Sequence, residues 1–319
     1  MPDKTNFVPV HGNYHGYYSK RPSTHDPRLS LLPSSLFQDK RVLDVGCNEG
    51  WVTCEIAQRL GAKRIVGVDI DDALVRLAWK HRRSVWSQQG PPENVSGRTQ
   101  EGEDPHRPQQ GIPDYFPASC EHMFGPLLIP DAVSQDGSFP HNVAFRTADW
   151  VHNEIPDDAE GYDVVLAFSI SKWIHLNGGD EGLLKFFRRV YQVLGPGGTF
   201  VLEAQEWDTY GKAKRMDPVR SSINRISRRP LIAMQKLKEN AKTLKLRPDD
   251  FERILQDIGF GPAEHLGAVG EGGRPSNGRI DCSLTTRCFY RVQTAGRPIH
   301  QDITIDSDSS MSSLYVACV

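Results

Sequence analysis

Residues 41–50 read RVLDVGCNEG, and residues 64–71 read RIVGVDID. In the first stretch the apolar pair Val42 and Leu43 runs into Asp44, and Gly46 and Gly50 then frame a tight turn. Glycine lets a backbone pass close to a ligand and take positive φ. A helix starting near Gly50 presents N–H groups without intrahelical partners and the positive end of its dipole, which suit an anion. The second stretch reads as a strand that ends in Asp69, 25 residues after Asp44. In a βαβ unit that spacing brings a carboxylate to a pair of ribose hydroxyls.

A lone glycine turn fits any Rossmann-type fold. A dinucleotide site would show Gly-x-Gly-x-x-Gly, and this chain does not. The acid before the turn, the spacing and the second acid together predict an S-adenosylmethionine site built on Asp44, Gly46, Gly50 and Asp69. Asn48 stands where many methyltransferases have a middle glycine, so its side chain is expected to add a hydrogen bond to the ligand. Asp149 closes a third strand in the run AFRTADW, at the sheet edge where an adenine would lie. It fits an acceptor for the adenine amino group and equally a plain turn Asp. Trp150 fits stacking on the adenine or filling core.

Outward from this unit, strand-like runs recur at Arg41–Val45, Arg64–Val68, Val143–Thr147, Tyr162–Ser169 and Thr199–Glu203. Helical stretches fall between them at about 50–60, 71–87 and 180–194. This alternation predicts a doubly wound, mostly parallel sheet with helices on both faces, the class I (Rossmann-like) methyltransferase fold. The nearly continuous apolar runs VVLAF and FVLEA are what buried parallel strands require. The chain divides into an N-terminal arm (1–35, with a short helix near 26–33), a domain (36–293) and a flexible tail (294–319). Within 84–138, 14 of 55 residues are Pro or Gly, which predicts a disordered insertion over 88–138. Phe116 and the run Leu127–Ile129 are its few apolar anchors.

Composition excludes several classes. The 319 residues allow one large α/β domain with insertions or two small domains, and 38% hydrophobic content is slightly low for a compact globule. The six cysteines include no Cys-x-x-Cys pair, so no zinc cluster and no metal are expected, and a reducing compartment fits. The polar start is not a signal peptide, and no run of 18 apolar residues predicts a membrane span. The net charge of −2 makes any nucleic-acid signal a local one.

Two local signals lie past the fourth and fifth strands. SISKWIHLNGGDEG, residues 169–182, is expected to be a loop at the ligand-binding edge, presenting Ser169, Lys172, Trp173, His175 and Asn177. Between Lys212 and Arg247 there are twelve Lys or Arg and only two acids, Asp217 and Glu239. That excess fits a phosphate-binding surface, or a solvated helical face. Trp207 and Tyr210, just before it, are candidates to stack on a base. The arm GNYHGYYSKRPSTHDPR, residues 12–28, fits packing and solubility as well as function.

Together these motifs resemble the Bicoid-interacting protein 3 family of RNA methyltransferases. GNYHGYYSKR followed by DPRL is similar to that family's Gly-Asn-Tyr-x-x-Tyr-Tyr-x-x-Arg arm with its downstream Asp-x-Arg-Leu. VLDVGCNEG is similar to its Gly-Cys-Asn-x-Gly turn, and SISKWIHLNGGDEG to its Ser-Leu-Thr-Lys-Trp-Val-His-Leu-Asn-x-Gly-Asp-Glu-Gly signature. LEAQEWDTYGK is similar to Leu-Glu-Pro-Gln-x-Trp-x-x-Tyr-x-Lys, and LRPDDFERILQDIGF to a Pro-x-x-Phe helix. The resemblance covers about 11–292 apart from the insertion. It implies transfer of a methyl group from S-adenosylmethionine to the 5′-terminal phosphate of a small non-coding RNA, as a methylphosphate cap. It also implies that Tyr18, Arg21 and Arg28 close the cofactor pocket, which Gly46, Asn48, Asp69 and Ile70 line. Tyr17 and Lys172 then approach the RNA phosphate, with His175, Trp207, Tyr210 and Lys212 nearby. The family's Asn-Tyr after strand three is Asp149-Trp150 here, and the Pro of Leu-Glu-Pro-Gln is Ala204. A nuclear or cytoplasmic protein with ribonucleoprotein partners fits this reading. The alternatives are an RNA-binding subunit that needs no catalysis, and a small-molecule methyltransferase, which the basic run disfavours.

Overall fold

A computed structural model describes residues 11–18, 25–88, 123–129, 137–214, 228–268 and 284–290. The tail, Arg21 and most of the insertion lie outside these residues, as does the Lys212 side chain.

Five strands run parallel: β1 (Arg41–Val45), β2 (Arg64–Asp69), β3 (Val143–Thr147), β4 (Tyr162–Phe168) and β5 (Leu194–Gln205). Two antiparallel strands, β6 (Glu264–Ala268) and β7 (Leu284–Tyr290), complete a seven-stranded sheet of order β3-β2-β1-β4-β5-β7-β6. The helices are α1 (Trp51–Arg59), α2 (Asp72–Ser87), α3 (Ser171–Val193), α4 (Trp207–Lys214), α5 (Arg228–Thr243) and α6 (Phe251–Ile258).

Strand side chains alternate between faces, and the core divides accordingly. Leu43, Val66, Val165, Ala167, Phe200 and Leu202 pack with Leu183, Phe186, Phe187 and Val190 of α3 and with Phe251 and Leu255 of α6. Val42, Ile65, Val164, Leu166 and Val201 pack on the other face with Val52 and Ile56 of α1 and Val75 and Ala78 of α2. The α3 residues 183, 186, 187 and 190 follow helical spacing, so one stripe of that helix covers the sheet.

Several boundaries differ from the sequence expectation. Residues 26–33 hold only a 3-10 turn, Leu29–Leu31. β5 starts at Leu194, pairing with Tyr162 before a register shift brings Thr199 opposite Val164. Residues 171–178 are not a loop; they form the opening turns of α3. Gly179 (φ 69°, ψ −171°) then breaks the helix before it resumes, and that break hides the helical period in the sequence. Part of the insertion does touch the fold: Ser87 Oγ accepts from Leu127 N–H at 2.7 Å, and Arg83 donates to Pro126 O at 2.9 Å.

Candidate active site

The carboxyl ends of β1–β4, the start of α3 and the arm enclose a cavity of about 820 Å³. Its floor is the glycine turn. A Cβ on Gly46 would sit 2.3 Å from Ile170 Cγ2, so only glycine fits there. Asn48 takes φ 52°, a left-handed conformation that Asn tolerates better than most side chains. Its amide is engaged by protein: Nδ2 donates to Tyr14 O at 3.3 Å, and Oδ1 accepts from Glu49 N–H at 2.9 Å. This side chain therefore ties the turn to the arm, and Asn48 also lines the cavity.

Asp69 is held by that same turn. Its Oδ2 accepts from Asn48 N–H and its Oδ1 from Asp71 N–H, both at 2.9 Å. Burial pushes its carboxyl up, and the backbone N–H bonds of Asp71, Asn48 and Ile70 oppose this. Each oxygen keeps acceptor capacity for a hydroxyl. Ile70 beside it is 39% exposed, an apolar surface for a purine. Asp44 is buried behind the turn and accepts from Thr53 Oγ1 at 2.6 Å. Burial raises its carboxyl to about 6, with Thr53 and Arg28 opposing.

The arm forms the roof. Carboxylates of α1 and the turns around it hold it down. Gly16 N–H donates to Glu49 at 2.8 Å, Asn13 donates to Asp71 at 2.7 Å, and Asp26 N–H donates to Glu55 at 2.9 Å. Tyr18 stacks on Trp51 with ring centroids 5.6 Å apart, and Trp51 stacks on His81 at 4.1 Å. Tyr17 meets Tyr18 edge to face and lines the cavity. Gly12 (φ +73°) sits directly on the Trp173 ring: a Cβ there would come within 2.3 Å of it.

Arg28 fastens the arm to the far side of the sheet. It is buried, donates to Asp26 at 2.6 and 2.8 Å and to Glu203 Oε2 at 2.9 Å, and lies 4.6 Å over the Phe168 ring. Burial alone would lower its pKa, but Glu203, Tyr18 and Asp26 hold the guanidinium firmly charged. Glu203 also accepts from Ser169 Oγ at 2.5 Å. Sequence reading found Arg28 but neither Asp26 nor Glu203 as its partners.

The opening turns of α3 form another wall of the cavity. Lys172 is buried; Gln205 Oε1 accepts from its backbone N–H at 3.1 Å, and its ammonium donates to Thr209 Oγ1 at 3.3 Å. Lys172, Trp173, Asn177 and Asp149 all line the cavity. Asp149 is held at the turn, where its carboxylate meets His152 Nδ1 at 3.0 Å.

Four expected site residues are placed differently. Trp150 borders the cavity, but its ring belongs to the core, donating to Asp158 at 3.2 Å with Arg189 4.5 Å over its face. His175 is fully buried and absent from the cavity lining, with Nε2 2.7 Å from Asp180 and Nδ1 3.3 Å from Tyr210 Oη. Burial lowers its pKa despite Asp180. Tyr210 is buried against Trp207, and Arg247 lies 5.1 Å over the Trp207 ring, so these aromatics pack α4 onto α3 and α5 outside the cavity. Sequence reading missed Asn240, whose amide donates to Leu176 O at 3.1 Å and Asn177 O at 3.0 Å. Those carbonyls are left over by the Gly179 break, a need that appears only once the break is seen.

The residues present fit S-adenosylmethionine. Asp69 suits the ribose, Ile70 the adenine face, and the close-packed glycine turn a backbone approach. Among the described residues no cluster of His, Cys, Asp and Glu is placed to hold a metal, and no helix is long and apolar enough to cross a membrane.

Comparison with known proteins agrees with this geometry. Residues 42–107 match a methyltransferase domain, and residues 162–279 match Bicoid-interacting protein 3 (Bin3). The chain is 37% identical over 270 residues to the 7SK snRNA methylphosphate capping enzyme of Homo sapiens, covering 80% of this chain and 36% of that protein. It is 34% identical over 260 residues to a probable RNA methyltransferase of Arabidopsis thaliana, covering 80% and 74%. It is 30% identical over 264 residues to the U6 snRNA methylphosphate capping enzyme Amus of Drosophila melanogaster, covering 81% and 68%. The chain therefore spans little more than a third of the human relative and over two thirds of the other two. The fold is that of the class I methyltransferases, S-adenosylmethionine is its cofactor, and the chain belongs to the Bicoid-interacting protein 3 family.

Proposed function

We propose that this chain transfers a methyl group from S-adenosylmethionine to an oxygen of the 5′-terminal phosphate of a small non-coding RNA. One observation carries the reading: the buried Lys172 lines the same cavity as Asp69, the carboxylate at the end of β2. Relatives at 30% and 37% identity are named as methylphosphate capping enzymes of small nuclear RNAs.

The chemistry asks little of a base. A phosphate oxygen is already anionic near neutral pH, so the acceptor needs orientation and a dry path to the methyl carbon. Alignment alone supplies much of such a rate. The bound cofactor supplies an electrophilic methyl group on a sulfonium. Lys172 holds the phosphate by charge-assisted hydrogen bonds, and Thr209 fixes the direction of its ammonium. Tyr17, Tyr18 and Trp173 exclude water from the roof and wall. Asp180 and Tyr210 hold His175, so His175 positions the Lys172 turn rather than moving a proton. A nuclear location and ribonucleoprotein partners belong to the same proposal.

The test is product analysis. 5′-Phosphorylated RNA is incubated with methyl-labelled cofactor and digested, and the terminal nucleotide is weighed. One added methyl on the terminal phosphate is expected. Label on a base, on a ribose or on no RNA would overturn the reading.

A further inference from the structure

The cavity is charged unevenly. Among the described residues lining it, the carboxylates are Asp44, Asp69 and Asp149, at the ends of β1, β2 and β3. The cations are Arg28, Lys172 and Lys236. Arg28 is matched by Asp26 and Glu203. Lys172 and Lys236 are therefore the two ammonium groups among these lining residues. Lys172 has a role in the reaction above; Lys236 has none.

Helix geometry explains how Lys236 reaches this place. With 3.6 residues per turn, Leu237 and Ala241 form the face of α5 that packs, with Leu244 just past its end, on Trp173, Leu176 and Tyr210. Lys236 and Asn240 are four residues apart on one flank of that face. Asn240 is bonded to Leu176 O and Asn177 O, so this flank adjoins the α3 turn that carries Asn177 and Gly178 into the cavity. Lys238 and Lys242 are four apart on the opposite flank and do not line the cavity. The fold thus sorts the basic run, turning one of these three lysines inward and two away.

We propose that Lys236 is a second phosphate-binding residue, gripping the 5′-phosphate end of the acceptor RNA at the cavity mouth while Lys172 grips it inside. This rests on the methyl-transfer reading and extends it to how the acceptor is selected. Lys236 is exposed, in contrast to Lys172. It can draw the anion in and orient it without neutralising the attacking oxygen. Its contribution therefore falls on binding, in KM, and not on the chemical step.

Lys236→Ala and Lys242→Ala are compared with the unaltered protein, by methyl-transfer kinetics and by fluorescence anisotropy with 5′-phosphorylated and 5′-hydroxyl RNA. Lys236→Ala is expected to raise KM by about five- to tenfold, the scale of one solvent-exposed hydrogen bond, with kcat nearly unchanged. The same change is expected to narrow the preference for phosphorylated over hydroxyl ends, while Lys242→Ala leaves that preference alone. An unchanged KM and end preference in Lys236→Ala, or an equal loss in both variants, overturns the proposal. If the unaltered protein transfers no methyl to phosphorylated RNA, the methyl-transfer reading fails, and the anisotropy series still decides whether Lys236 reads the phosphate.

Discussion

At the scale of single residues, two buried groups carry opposite burdens. The Lys172 side chain is buried, and in the proposed reaction it supplies a cation in a dry place. Lys172→Ala is expected to lower methyl transfer to 5′-phosphorylated RNA by about a hundredfold or more, the cost of losing one preorganised donor. Calorimetry should find cofactor affinity within about twofold, since the proposal gives the ribose to Asp69; undiminished turnover would remove Lys172 from the reaction. Asp44 is a carboxyl pushed up to about 6 by burial, against 3.8 for an ordinary one. Between about pH 4 and 6 the unfolded chain gives up a proton that the folded chain keeps. The stability Asp44 contributes is thus complete at the acid end, and is lost as pH rises through about 6. Melting temperatures across that range should show Asp44→Asn gaining on the unaltered protein as pH rises. Parallel curves would mean that the buried carboxyl titrates normally. Asp44, Gly46 and Asp69 were all legible, because a βαβ cofactor turn is local and its residues lie within 30 positions. The destination of the Asn48 amide was not, because its partner is the backbone of Tyr14 in the arm.

Among the elements, the break in α3 matters most. The run from Ser171 to Gly178 looked like a loop because two glycines end it, yet Trp173 and Leu176 at helical spacing are buried in one small cluster. The strands of the parallel sheet were legible from their apolar runs. The antiparallel pair β6 and β7 was not, since EHLGA and LTTRCFY are short and mixed in character. Gly179 stands at φ 69°, ψ −171°, a conformation almost confined to glycine, and nothing lies within 4 Å of where a Cβ would be. Gly179→Ala is therefore expected to cost about 1–3 kcal/mol through backbone strain alone. Urea unfolding measures it. A neutral result would show that the break tolerates a side chain and does not depend on glycine.

For the whole molecule, the decisive contact joins residues 175 positions apart: Arg28 in the arm and Glu203 on β5. No spacing rule reports such a pair, so the arm read as packing, solubility or function alike. A net charge of −2 similarly conceals a cavity lined by three aspartates and two lysines. Arg28→Met would leave Asp26 and Glu203 as buried, unmatched carboxylates. A loss of about 3–5 kcal/mol is expected from urea unfolding, and Glu203→Gln in the same chain should restore part of it. If the two changes simply add, the pair is not coupled. The arm's roof also has a temporal meaning. Gly12 rests on Trp173 with no room for even one more carbon, so a donor leaving past this wall would first have to part that contact. By that route the arm would act as a clock on the active site, setting how long each donor molecule dwells. Gly12→Ala should run that clock fast, shortening the dwell time in a stopped-flow displacement experiment, whereas an unaltered dwell time would place the exit elsewhere.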